Sequence, residues 1–176
     1  MDNSSLKLKA ESNYIEKKYS EAAQNYLELA NESYLAGNEA EQAELKNNAS
    51  VAFLLAGNCQ AAYESSFQTE LVFLKSGNLK FAGMSLGNQA AALEELGRNK
   101  EALTLFEKGA QVLKEAGEND LRAYILKRIS VIKLKQGQHL EALATMDAAL
   151  DNVNSLSKKE RFLKRLSNFV FKLIRG

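Results

Sequence analysis

The chain has 176 residues, 45% of them hydrophobic and 26% charged, which is typical of a folded globular protein and not of a disordered one. Its formal net charge of +1 gives the whole chain no strong attraction for nucleic acid or membranes. The single cysteine excludes an internal disulfide and fits a reducing compartment. No signal-peptide core or membrane-spanning apolar run is present in the sequence, so we expect a soluble, cytoplasmic protein.

Helices are predicted along the whole chain, because proline is absent and no alternating strand pattern appears. Six of the ten glycines recur every 20 residues, at positions 37, 57, 77, 97, 117 and 137. Glycine adopts the left-handed conformation that ends a helix without steric cost. This spacing predicts helices over about 4–16, 20–36, 39–56, 59–76, 79–96, 99–116, 119–136, 139–153 and 157–175.

Small residues show that the repeating unit is 40 residues long, a pair of helices. One set of small residues recurs every 40 residues, at Ala10, Ser50, Ala90 and Ser130. A second set recurs at the same interval, at Ala22, Ala62, Ala102 and Ala142. Small side chains at fixed points let paired helices cross closely. A period of this length with two helices per unit predicts an all-α fold, an α-solenoid.

The segment LGNQAAALEELGRNKEALTLFEKGAQVLKEAGEND (86–120) resembles a tetratricopeptide repeat, of the 40-residue variety similar to that of kinesin light chain and the spindle-orientation adaptors. Segments 6–30, 45–65 and 126–150 are further copies, although the first has Lys17 in place of the turn glycine. The resemblance implies a right-handed superhelix of four helix pairs, at about 3–36, 43–76, 83–116 and 123–153, within a single domain 1–176. The helix at about 157–175 would then cap the last pair.

Cys59 and His139 are the first candidates for catalysis, but both lie at the same repeat position, the turn between paired helices. In the similar repeats this position packs under the turn. Two repeats separate the two side chains by roughly 20 Å, which excludes a catalytic pair. One histidine and one cysteine supply no metal-ligand spacing. We therefore expect no enzymatic activity, no metal and no cofactor.

The resemblance implies a concave groove lined by the first helix of each pair. Asn48, Asn88 and Arg128 share one position there, and asparagines at this place in the similar repeats hold the backbone of an extended peptide. An amide suits that role because it both donates and accepts hydrogen bonds. Alternatively, these side chains are plain polar surface or bond to a neighbouring helix. The full predicted peptide-binding set is Asn47, Asn48, Asn88, Glu95, Tyr124, Lys127 and Arg128.

Charge in this groove is expected to change along its length. Glu94 and Glu95 make it acidic in repeat three, whereas Lys127 and Arg128 make it basic in repeat four. This pattern predicts a ligand with an acidic end close to the two cations.

The last helix has a strong local excess of positive charge. Residues 157–176 contain seven Lys or Arg and one Glu, a charge of +6, which leaves −5 on residues 1–156. Its apolar face is formed by Phe162, Leu163, Leu166, Phe169, Val170, Leu173 and Ile174, with Phe171 outside it. Two interpretations remain: a cap whose apolar face is buried on repeat four, or a basic amphipathic helix that contacts an anionic membrane or a partner. Residues proposed for that contact are Arg161, Lys164, Arg165, Phe171 and Lys172.

Together these features predict a non-enzymatic adaptor that binds an extended segment of a protein partner in the groove. The alternative is an assembly factor that forms a homo-oligomer, or is recruited to a membrane surface, through the last helix. Nucleic acid is not expected as a partner, because the basic face is short and lacks aromatic side chains for stacking.

Overall fold

The computed structural model describes residues 3–151, 153 and 156–175. Within these residues the chain forms ten helices and no strand. They are α1 (Asn3–Ile15), α2 (Tyr19–Leu35), α3 (Glu39–Leu55), α4 (Cys59–Ser66), α5 (Thr69–Lys75), α6 (Leu79–Glu95), α7 (Asn99–Glu115), α8 (Asn119–Lys135), α9 (His139–Asp151) and α10 (Lys158–Arg175).

Successive helices pack as pairs, and each pair packs on the next. Repeat one is α1 with α2, repeat two α3 with α4 and α5, repeat three α6 with α7, and repeat four α8 with α9. The second helix of each repeat contacts the first helix of the following repeat, and α3 also contacts α6. This order confirms the predicted all-α solenoid of helix pairs.

Six helix ends carry the predicted glycines in the left-handed conformation, with φ between 72° and 78°. At the first of them, the amide of Asn38 donates to the carbonyl of Ser33 over 2.8 Å, which is the 6→1 hydrogen bond of a Schellman motif. Lys17 stands where a seventh glycine would be, and it adopts the same conformation with φ of 62°. The 20-residue spacing therefore marks helix ends, as predicted.

Both sets of small residues are buried, each at 5% exposure or less. Larger side chains fill the space around them, with Phe106, Leu113 and Ile132 in repeats three and four at 1% exposure or less. Phe73 and Phe81 stack with ring centroids 5.3 Å apart and join repeat two to repeat three. The core thus runs between the helix layers along the whole solenoid.

The predicted helix over 59–76 is wrong, because the chain breaks between α4 and α5. Phe67 is extended, with ψ of 125°, and Gln68 is left-handed, with φ of 60°. The hydroxyl of Ser66 donates to the carbonyl of Ala62 over 3.1 Å, and that of Thr69 donates to the carbonyl of Ser66 over 2.7 Å. Such hydroxyls offer the backbone an alternative to helical hydrogen bonds.

Three predicted limits lie at or beside residues that are not described. The prediction placed the end of repeat four at residue 153, whereas α9 ends at Asp151 and Val153 is not helical. Asn152, and Met1 and Gly176 at the limits of the predicted domain, lie outside the described residues. Among the helices that the structure describes, none has the length and apolarity to cross a membrane.

Candidate functional site

The candidate site is an open depression of about 250 Å³ between the first helices of repeats two, three and four. We call it the groove. Its lining is largely apolar and includes Val51, Leu54 and Leu55 from α3, Met84, Gly87, Asn88 and Ala91 from α6, and Leu121, Tyr124 and Ile125 from α8. Tyr124 and Leu55 remain 57% and 49% exposed. An apolar concave surface with a few polar groups is what ligand sites commonly present.

Gly87 lines the groove without a side chain. The same position holds Lys7 in repeat one, Asn47 in repeat two and Lys127 in repeat four, so only repeat three lacks a side chain there. A Cβ atom at Gly87 would lie 3.3 Å from Cδ1 of Ile125, which shows how closely α6 and α8 approach at this point. Ile125 therefore takes part of the space that a side chain at residue 87 would need, and the backbone of Gly87 lies bare at the groove.

Asn47 does not face the groove as predicted. It is 7% exposed, and its amide nitrogen donates to the carbonyl of Ala43 over 3.1 Å and to the hydroxyl of Ser85 over 2.7 Å. Its amide oxygen accepts from Thr69 over 3.4 Å and from Asn88 over 3.3 Å. All four hydrogen-bonding positions of this amide are therefore taken within the protein. Asn47 joins α3, α5 and α6 and does not remain free for a ligand.

Asn48 and Asn88 are placed differently from Asn47. Asn48 is exposed on α3, one turn before the apolar lining, and its side chain makes no hydrogen bond with the described residues. Asn88 is half-buried in the groove, and its bond to Asn47 is its sole side-chain hydrogen bond among the described residues. The side-chain amide of Asn48 is therefore available for a ligand. Asn88 is held in position by Asn47, and one N–H and the oxygen of its amide remain available.

The charges predicted for the two ends of the groove neutralise each other. Arg128 donates to the carboxylate of Glu94 over 2.8 and 3.0 Å, and it lies 3.6 Å from Glu95. Lys135 lies 3.7 Å from Glu94, whose side chain is 7% exposed. Burial disfavours the charged guanidinium, but the hydrogen bonds and charge of Glu94 outweigh this and raise the pKa of Arg128. Arg128 thus bonds to the neighbouring repeat, the alternative named for it above.

Lys127 is also engaged, with the last helix. Its ammonium group donates to the carboxylate of Glu160 over 2.6 Å. The pKa of Glu160 is lowered to about 2, mainly by the hydrogen bond from Lys127 and to a smaller extent by the hydrogen bonds with Ser157. Ser157 and Glu160 bond each other's backbone N–H groups, a capping box that starts α10. The expected acidic end of a ligand therefore finds both predicted cations, Lys127 and Arg128, already paired with glutamates.

α10 contacts the solenoid, but the expectation that it buries its apolar face is wrong. Ser167, at 1% exposure, donates to Asp147 over 2.6 Å. Lys164 lies 2.8 Å from Asp147 and 2.7 Å from Asp151, so it is not the free contact residue that the sequence predicted. Phe171, also proposed for that contact, is half-buried. The side of α10 that meets α9 is thus mainly polar and ionic.

The apolar side of α10 faces solvent instead. The side chains of Phe162, Phe169 and Leu173 are between 61% and 67% exposed, and Leu163 and Leu166 are 38% and 43% exposed. The side chains of Ile174 and Arg175 lie outside those that the structure describes. Arg161, Arg165 and Lys172 are exposed beside this side.

Cys59 and His139, the candidates for catalysis, lie at the starts of two different helices. Cys59 opens α4, half-buried, with its thiol 3.7 Å from the carbonyl of Gly57. His139 opens α9 and is exposed, so it does not pack under its turn as expected. In the described part of the chain, no group of three or more His, Cys, Asp or Glu side chains could hold a metal ion.

Sequence reasoning missed several residues that shape the groove. Gly87 could have been found, because it is the single glycine in a position otherwise held by Lys or Asn. Ser85 and Thr69 could not, since each acts through Asn47 from a different helix. The role of Thr69 also depends on the break between α4 and α5, where the sequence has neither glycine nor proline.

Residues 81–155, which cover most of repeats three and four, match the family model described as Tetratricopeptide repeat. This match supports the tetratricopeptide repeat family, whose repeats generally mediate protein–protein interactions and whose members are typically non-enzymatic adaptors. Among curated proteins, no significant match to the chain is found.

Proposed function

We propose that this chain of tetratricopeptide-type helix pairs is a non-enzymatic adaptor that binds an extended protein segment in the groove. The observation that carries the proposal is the combination of an open apolar depression with two available amides, Asn48 and Asn88, in the first helices of neighbouring repeats. The repeats would then be of the 40-residue variety, similar to those of kinesin light chain. An amide at each repeat can bond the backbone of an extended peptide without requiring one sequence.

The side chain that such a peptide presents to the groove is apolar. The space above Gly87 is bordered by Leu54, Met84 and Tyr124, which leaves no charged group at its centre. Burying one aliphatic or aromatic side chain there removes apolar surface from water on both partners, and such anchors usually carry much of the binding energy. Asn88, held by Asn47, would bond the peptide backbone next to this anchor.

An acidic peptide end is not part of the proposal. Arg128 and Lys127 are each bonded to a glutamate, and a carboxylate arriving from outside would have to compete with that glutamate. The side chain of Glu94 is only 7% exposed, so its displacement from Arg128 would leave a buried carboxylate poorly compensated, which is costly. The ligand we propose is therefore an extended segment with one apolar anchor and no required charge.

A random-peptide display library selected on the immobilised chain tests this function. Selected peptides should share one apolar position and should lose about tenfold or more in affinity for the double variant Asn48→Ala, Asn88→Ala, because each lost hydrogen bond contributes about 0.5–1.5 kcal/mol. Titration calorimetry with a selected peptide measures the loss. Asn31→Ala is the matched control, since Asn31 is an exposed asparagine on α2, outside the groove.

Gly87→Lys tests the anchor separately from the amides. Lysine is the residue at this position in repeats one and four, so the helix should form, as circular dichroism can verify. The variant should lose the peptides with the apolar position. Unchanged affinity in the double asparagine variant, or no peptide selected above background, would overturn the proposed function.

A further inference from the structure

The last helix is attached to the solenoid by one stripe of its surface. Glu160, Lys164, Ser167 and Phe171 are spaced three or four residues apart, so they lie on one side of α10. The first three bond Lys127, Asp147 and Asp151 in a chain of contacts between 2.6 and 2.8 Å. These directional bonds set which side of α10 faces the solenoid and which side faces away.

The side that faces away is apolar and continuous. Phe162, Leu166, Phe169 and Leu173 are again spaced three or four residues apart, and they are 43% to 67% exposed. At 1.5 Å per residue this exposed row is about 17 Å long. An amphipathic helix that turns its apolar side to water while polar bonds fix the opposite side has an interaction surface, because exposed apolar patches of this kind mark binding sites.

The border of this apolar row carries only positive charge. Arg161, Arg165 and Lys172 are exposed, and in the described part of the chain none of them forms an ion pair. Glu160 is the sole acidic residue in the sequence from 157 to 176, and its carboxylate is engaged by Lys127. An apolar row with unpaired cations beside it fits a partner that is apolar inside and anionic at its surface.

We propose that α10 docks on the surface of an anionic lipid bilayer, with the apolar row inserted between lipids and the cations at the headgroups. Helices of this composition lie in the interface with the apolar side buried about 5–10 Å. A second copy of the chain fits less well, because a two-fold contact through the same row would bring the arginines of both copies together. This surface is separate from the groove, so its failure leaves the proposed peptide binding untouched.

Flotation of the whole chain with lipid vesicles tests the proposal. The chain should bind vesicles of phosphatidylcholine with about 30% phosphatidylserine, and binding should fall as salt is raised from about 50 to 500 mM, because salt screens charge attraction at the surface. Binding of the chain to pure phosphatidylcholine vesicles should be weaker by about tenfold or more. Since the chain has no tryptophan, Phe169→Trp gives a probe whose emission should shift to the blue on insertion.

The double variant Phe162→Ser, Phe169→Ser should lose binding by about tenfold or more, since both rings leave the bilayer contact. The double variant Arg161→Glu, Arg165→Glu should lose binding to anionic vesicles to a similar extent. Its weak binding to pure phosphatidylcholine vesicles should not change. Phe67→Ser is the matched control, because Phe67 is 49% exposed but lies at the break between α4 and α5. The proposal would be overturned if the chain did not bind anionic vesicles, or if the double phenylalanine variant bound them equally well. It would also be overturned if light scattering showed a dimer of the chain that becomes a monomer in this variant.

Discussion

The second helices of repeats two and three start from matching positions and end as different structures. In repeat three, α7 runs unbroken over 99–115, whereas in repeat two the chain divides into α4 and α5. Positions 40 residues apart show the contrast. Phe106 and Ser66 are both fully buried, yet one fills the core with an aromatic ring and the other with a hydroxyl. Gly109 in α7 corresponds to Thr69, the first residue of α5.

This contrast connects the fold to the candidate site. The hydroxyl of Ser66 donates to the carbonyl of Ala62 within α4, and the hydroxyl of Thr69 donates to the carbonyl of Ser66 across the break. The same hydroxyl of Thr69 reaches Asn47 over 3.4 Å, and Asn47 accepts from Asn88 in the groove. Repeat three, by comparison, has no hydroxyl at this position and packs closely through glycines. A defect in one helix therefore helps to position a groove residue on the next repeat.

The largest expected difference between the repeats is in their buried side chains. Phe106→Ala should lower the free energy of unfolding by about 3–5 kcal/mol, because it leaves a cavity in the core. Ser66→Ala should cost about 1 kcal/mol or less, since a hydroxyl bonded to a helix carbonyl contributes little net stability. Urea unfolding followed by circular dichroism measures both. Similar costs for the two variants would show that the repeats pack alike despite the break.

A second, intermediate effect is expected where α6 and α7 cross. A Cβ atom at Gly83 would lie 2.5 Å from Cγ of Leu113, whereas repeat two already has Ala43 at this position. Gly83→Ala should therefore lower the free energy of unfolding by about 1–3 kcal/mol through overpacking. In a Leu113→Ala background the same change should stabilise by up to about 1 kcal/mol, as alanine is the better helix former. An effect of the same sign and size in both backgrounds would contradict the close crossing.

The smallest effect concerns the break itself. Gln68 has φ of 60°, which is strained for a residue with a side chain, so Gln68→Gly should raise the free energy of unfolding by about 0.5–1 kcal/mol. Lys108 holds the matching position inside α7, where glycine should instead cost about 1 kcal/mol. Thermal unfolding of the two variants compares them directly. A loss of stability in Gln68→Gly would mean that residue 68 is helical in solution.

Much of the fold follows from short-range patterns in the sequence. The glycines at 37, 57 and 77 end helices because a left-handed residue is required there, and this requirement is local. Ala10 and Ala22 mark helix crossings because only small side chains fit them. The break after Ser66 was not predicted, because serine and threonine are tolerated in many helices and act here together with their tertiary neighbours.

The candidate site was predicted only in part. Asn88 and Tyr124 line the groove, and Asn48 lies one turn before its lining on α3. Such positions follow from the repeat register, because register decides which side of a helix a residue occupies. The state of Asn47 and Arg128 could not be read in this way. Each is engaged by a residue from a different repeat, 38 positions away for Ser85 and 34 for Glu94.

The sequence by itself determined the helical repeat, its 40-residue period and the six glycines at helix ends, because these depend on backbone conformation and side-chain size at single positions. Only the tertiary structure decided which polar groups remain free. Lys127, for example, is a cation of the groove by its repeat position, yet it forms an ion pair with Glu160 of the last helix. The same bond helps to turn α10 so that Phe162 and Phe169 face outward. Pairing between charges distant in sequence depends on how whole helices are placed, which no local pattern encodes.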